Sequence, residues 1–136
     1  MRLSLRLSLC LALMPGIAFA WTAFNRHEVY PVGNGVFEVL NEVGSGAQQY
    51  WCGAGDYAIR VLGTGATQRV YIWRAIGPAA TVQGRKSVQF SLTPPPGADT
   101  TPGFSLSTRR VGDNMTAASG QNYCYDRLRD EPWLFP

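Results

Sequence analysis

The stretch Ser45–Gly63, SGAQQYWCGAGDYAIRVLG, decides the architecture of this chain. Tyr50, Trp51, Ala54, Tyr57, Ala58, Val61 and Leu62 recur at helical spacing and would form one apolar stripe. Ser45 stands where an N-cap belongs, and Gln48 follows at the spacing of a capping box. Gly63 falls just past the C-terminus, where a left-handed residue is often needed. Gly53 and Gly55 oppose this reading, because each costs about 1 kcal/mol in a helix interior. The rival is a hairpin of QQYWC and YAIRVLG around GAGD, in which Tyr57, Ile59 and Val61 alternate. Cap, stripe and terminator agree with one another, so the helix is preferred and the chain reads as α+β. The hairpin would make it all-β.

The same stretch holds Cys52. Around a helix it points well away from the apolar stripe, with Gly55 on its side. A glycine there lets another segment come close. The other cysteine outside the first twenty residues is Cys124. An even pair in an oxidising compartment reads as a structural disulfide, with the segment around Cys124 crossing the back of the helix. In the chain-entropy model a loop of roughly 70 residues is worth about 4 kcal/mol. A free nucleophile at Cys52 would leave Cys124 unpaired.

Compartment follows from residues 1–20, MRLSLRLSLCLALMPGIAFA. Arg2 and Arg6 precede an apolar run, and Ala18-Phe19-Ala20 forms a cleavage site before Trp21. This reads as a signal peptide, with 21–136 as a single secreted domain. The run is short for a membrane span, which needs about 20 apolar residues, and no second long run follows. The net charge is +3 for the full chain and falls towards neutrality once Arg2 and Arg6 are removed, so a nucleic-acid binder is not expected.

Outward from the helix, the chain reads mostly as strands. NRHEVYPVGNGVFEVLNEV gives two strands joined at Gly33-Asn34-Gly35, with Pro31 at an edge or strand end. TQRVYIWRAIG gives a strand with Trp73 expected in the core, and RKSVQFSL one with Val88, Phe90 and Leu92 inward. TPPPGADTTPG is a loop. FSLSTRR and TAASGQNYCYD read as two short strands around Val111–Asn114. An antiparallel sheet carrying one helix and stapled by one disulfide is the expected fold. The tail RLRDEPWLFP, with Trp133, Leu134 and Phe135, reads as a clasp over the domain.

Chemistry-bearing residues are sparse. There is one histidine, His27, so zinc lacks ligands, and no cofactor fingerprint is present. His27 and Glu28 point to opposite faces of a strand and read as surface residues. Asp56 and Arg60 read as an ion pair on the helix surface. Asn114-Met115-Thr116 matches a glycosylation sequon, a motif short enough to arise by chance. Three basic pairs, Arg85-Lys86, Arg109-Arg110 and Arg127-x-Arg129, would bind an anionic ligand if they converge. The expected function is a small secreted or periplasmic non-catalytic domain. Its partner would be an envelope or extracellular protein, or an anionic glycan. The alternative is a small extracytoplasmic hydrolase using Asp56, Glu28 or His27.

Overall fold

The computed structural model describes residues 19–126. The strands are β1 (Trp21–Thr22), β2 (Glu28–Gly33), β3 (Val36–Leu40), β4 (Arg69–Pro78), β5 (Lys86–Ser91) and β6 (Asn114–Thr116). The helices are α1 (Ala47–Arg60) and α2 (Ala117–Asn122). The six strands form one antiparallel sheet in the order β1-β2-β3-β5-β4-β6. The α+β class holds, and Ser45–Gly63 is helical through Arg60.

Local chemistry explains the hairpin that starts the sheet. Gly33, Asn34 and Gly35 all take positive φ (120°, 53° and 76°), as a tight turn between β2 and β3 requires. Pro31 lies beyond the short pairing with β1, next to a bulge, where a missing N–H is tolerated. From the far side of the sheet, β5 adds Val88 and Phe90 opposite Val39 and Phe37.

The core lies between the sheet and α1. Val29, Phe37, Val39, Val70, Ile72, Val88 and Phe90 come from the sheet, and Tyr50, Trp51, Ala54, Tyr57 and Ala58 from the helix. Trp51 and Phe90 meet edge to face at 5.0 Å, and Phe37 and Tyr57 at 4.7 Å. The last two residues of the expected stripe, Val61 and Leu62, are not covered and remain exposed. The core tryptophan is therefore Trp51. Trp73 is half-buried: Val70 and Ile72 are the β4 residues that face the core, so alternation turns Trp73, the next residue, to the opposite face, at a register shift between Ile72 and Arg74.

Helix α1 begins one residue later than its sequence suggests. Gly46 is the N-cap, and its N–H donates to the Gln49 side chain at 2.8 Å. Ser45 is committed elsewhere: its hydroxyl bonds the backbone N–H and carbonyl of Glu42. The capping pattern is therefore present with its register moved to Gly46 and Gln49.

The largest correction concerns the chain after Gly112. TAASGQNYCYD is not a strand: Asn114–Thr116 pairs with β4, and α2 starts at Ala117. Thr116 is its N-cap, with Oγ1 accepting from Ser119 N–H at 3.2 Å. FSLSTRR forms no strand either; only single bonds such as Ile76 N–H to Thr108 O hold it beside β4. A short α2 is possible because Gly55 and Gly120 let the two helices touch backbone to backbone. The Cys52–Cys124 disulfide closes this contact, with the Cα atoms 4.9 Å apart. The expected crossing at Gly55 is observed, made by a helix. Residues 1–18 of the expected signal peptide and residues 127–136, which carry Arg127, Arg129 and the expected clasp, lie outside the described residues.

Candidate functional site

Between β5 and β6 the chain runs from Leu92 to Asp113 without a regular element. A connection of this length inside a small domain needs anchors, and usually serves a purpose. Pro95 is buried and Ala98 N–H returns to its carbonyl, so the proline segment packs down. Trp51 Nε1 donates to Ser107 O at 3.0 Å, tying the far end to the core.

The middle of the segment is anchored by Asp113 and Asn114. Asp113 Oδ1 accepts from Arg110 Nη2 (2.8 Å), Gly103 N–H (3.3 Å) and Asn114 N–H (3.0 Å). Asn114 Nδ2 donates to Thr100 O at 2.8 Å and to Gly112 O at 3.0 Å. Its Oδ1 accepts from Arg69 Nε at 2.8 Å and Nη2 at 2.5 Å. Asn114 is buried and its amide nitrogen is occupied, so the sequon does not present an accessible acceptor.

These bonds shape a cleft of about 300 Å³. Arg69 at the start of β4 lines it, together with Met115, Ser119, Tyr123, Phe104 and Leu106. Phe104 is fully exposed. Among the described residues Arg69 has no carboxylate partner, and its Nη1 makes no hydrogen bond. Residue-by-residue reading missed Arg69 because no neighbour in sequence marks it; its partner Asn114 is 45 positions away. A second, largely apolar hollow of about 310 Å³ lies under the β2–β3 turn, lined by Val36, Phe37, Tyr57 and Leu62 among others.

The acidic groups are placed differently from expectation. Asp56 is fully buried, not on the helix surface. It accepts from Phe24 N–H (2.9 Å), Gln121 Nε2 (3.1 Å) and Arg60 Nη1 (3.3 Å), joining the N-terminal segment to both helices. The covering α2 converts an expected surface position into an interior one. Glu38 is also fully buried, on the sheet face opposite α1. Ala80 N–H (3.0 Å), Thr81 N–H (2.7 Å), the Thr81 hydroxyl, Ser87 Oγ (2.8 Å) and Gln89 Nε2 (3.4 Å) donate to it. Burial by itself pushes the Glu38 carboxyl up, but hydrogen bonds from Thr81, Ala80 and Ser87 outweigh it and hold the group below its ordinary value. Burial raises the phenols of Tyr50 and Tyr57.

His27 is buried as well, although its sequence position reads as surface. Its Nε2 lies 2.7 Å from Ser45 Oγ. A serine beside a histidine is the geometry of an activated nucleophile. Here the same hydroxyl also lies 2.7 Å from Glu42 O, its acceptor, which draws the proton away from the imidazole. Glu28 lies 3.8 Å from Arg85, and Asp56 is held by Phe24, Arg60 and Gln121.

Two of the three basic pairs lie among the described residues. Arg85 precedes β5 and Lys86 opens it, and Arg85 reaches Glu42 at 3.1 Å as well as Glu28. Arg109 and Arg110 lie in the irregular segment beyond β4, where Arg110 holds Asp113. Among the described residues no three His, Cys, Asp or Glu side chains gather as a metal site requires, and no helix is long and apolar enough to cross a membrane. A disulfide is compatible with an extracytoplasmic protein. Compared with protein-family models, curated proteins and solved structures, the chain matches none.

Proposed function

We propose that this is a secreted or periplasmic domain that binds a partner or an anionic ligand without transforming it, using the cleft beside Arg69. One observation carries the reading: a positioned cation and a bare aromatic, Arg69 and Phe104, line the same cleft. Such a pairing of a polar anchor with apolar wall suits recognition. The carboxylates Asp56 and Glu38, in contrast, spend their acceptor capacity inside the fold. The basic, then apolar, first twenty residues support export, and β1 starting at Trp21 fits a cut after Ala20.

The test is a titration of the ¹⁵N-labelled, disulfide-bonded protein with peptide, glycan and small-acid fractions of the growth medium and envelope. At least one fraction is expected to shift the amides of 103–106 and 114–119. Spectra unmoved by every fraction would overturn the reading.

A second reading, a small hydrolase, rests on the 2.7 Å contact between Ser45 and His27 and requires the Ser45 hydroxyl to turn from Glu42 O to the imidazole. It requires turnover of an ester substrate such as 4-nitrophenyl acetate that Ser45→Ala abolishes. Equal rates for wild type and Ser45→Ala would remove it.

A further inference from the structure

We propose that the cleft takes a small monocarboxylate with an apolar body, its carboxylate on Arg69 and its body against Phe104, Leu106 and Met115. This rests on the binding reading above and names the class of ligand.

Three observations lead to this class. First, Arg69 is preset. Asn114 holds Nε and Nη2 on one oxygen, and Asn114 is itself fixed by Thr100 O and Gly112 O. Asn114 is thus a positioning residue, and the guanidinium is oriented before a ligand arrives. Holding one edge of the fork leaves Nη1, at the other end, without a bond among the described residues. Nη1 is thereby aimed to donate to an oxyanion, carboxylate or phosphate.

Second, charge limits the ligand to a monoanion. Asp113 also lines the cleft, but Arg110 and two backbone N–H groups satisfy it. Among the described lining residues that leaves one uncompensated cation, Arg69, against one negative charge. A dianionic phosphate would bring a second charge towards Asp113 with no cation to meet it.

Third, the walls are apolar where the fork ends. Phe104 is exposed over its whole surface, while the residues that flank it are anchored through Gly103 and Ser107. Leu106 and Met115 are partly buried and face the same space. An apolar body of ten or so heavy atoms suits about 300 Å³ and would cover Phe104.

The experiment titrates the labelled, disulfide-bonded protein with 3-phenylpropionate, its neutral match 3-phenylpropanol, and inorganic phosphate. The acid is expected to shift amides at 103–106 and 114–119 and to bind at least tenfold tighter than either comparator. Arg69→Gln should abolish the gap between acid and alcohol; Phe104→Ala should weaken both. The comparison of ligands on the wild type stands even if Arg69→Gln fails to fold. Equal binding of acid and alcohol in the cleft overturns the anionic class while leaving the cleft as a binding site. Phosphate binding as tightly as the acid overturns the apolar body. Saturating acid with no shift in the cleft overturns the proposal altogether.

Discussion

Gly55 of α1 and Gly120 of α2 lie against each other. A Cβ on Gly55 would stand 2.4 Å from the backbone nitrogen of Gln121, and one on Gly120 would stand 2.7 Å from Trp51 O and 3.3 Å from Gly55 Cα. These neighbours are backbone atoms and have no rotamer by which to retreat. The contact brings the two helices close enough for the Cys52–Cys124 bond and for Gln121 to reach Asp56.

Gly55→Ala is therefore expected to destabilise the fold by about 3 kcal/mol through overpacking. Helix propensity alone would have predicted a gain of about 1 kcal/mol. The sign separates the two effects. Gly65→Ala, with open space at its Cβ position and no positive φ, should be near neutral. Thermal melts of both variants check this, and a stabilised Gly55→Ala would contradict the helix contact.

Reducing the disulfide should cost about 4 kcal/mol in the chain-entropy picture. In the native protein Cys52 and Cys124 should resist maleimide until a reductant is added. Rapid labelling of either residue without reductant would show that the bond is absent.

Glu38→Gln should lower stability at neutral pH by about 2 kcal/mol, since one acceptor oxygen becomes a donor facing other donors. Its folded pKa is depressed below the ordinary value of 4.5. The stability it contributes is present above the unfolded pKa and is lost as pH falls through the folded one. Urea midpoints of the wild type should drop between about pH 5 and pH 3 more steeply than those of Glu38→Gln. Parallel curves would mean that the carboxylate carries no net stabilisation.

Trp51→Ala should cost about 4 kcal/mol, and Trp73→Ala clearly less, because only Trp51 fills the core. Trp51→Phe keeps most of the volume but removes the donor to Ser107 O. Hydrogen exchange should then quicken around 104–108 more than in β3 or β5. Uniform quickening would show that the indole nitrogen does not anchor the segment beside the cleft.

What the sequence by itself determined is short in range. The period of Tyr50–Ala58 and the terminator at Gly63 mark α1, and Gly33-Asn34-Gly35 marks the hairpin. Val88 and Phe90 declare their inward face by alternation. Each depends on φ preference or spacing within one element, so neighbours suffice to read it. Parity and compartment alone pair Cys52 with Cys124, and Gly55 indicates where the second segment crosses.

Tertiary structure decided the rest, because burial is a property of what packs against a residue. Asp56 and Arg60 have surface ion-pair spacing, but α2 covers that side of the helix and encloses Asp56. Glu38 alternates like any half-exposed strand residue until the chain at Ala80 and Thr81 folds over it. Residues 117–122 became a helix because Thr116 caps them and Gly55 leaves room, a fact written at the other end of the contact. Arg69 becomes a candidate ligand anchor only when β6 lays Asn114 beside it, since a lone arginine carries no signal until another part of the chain fixes its direction.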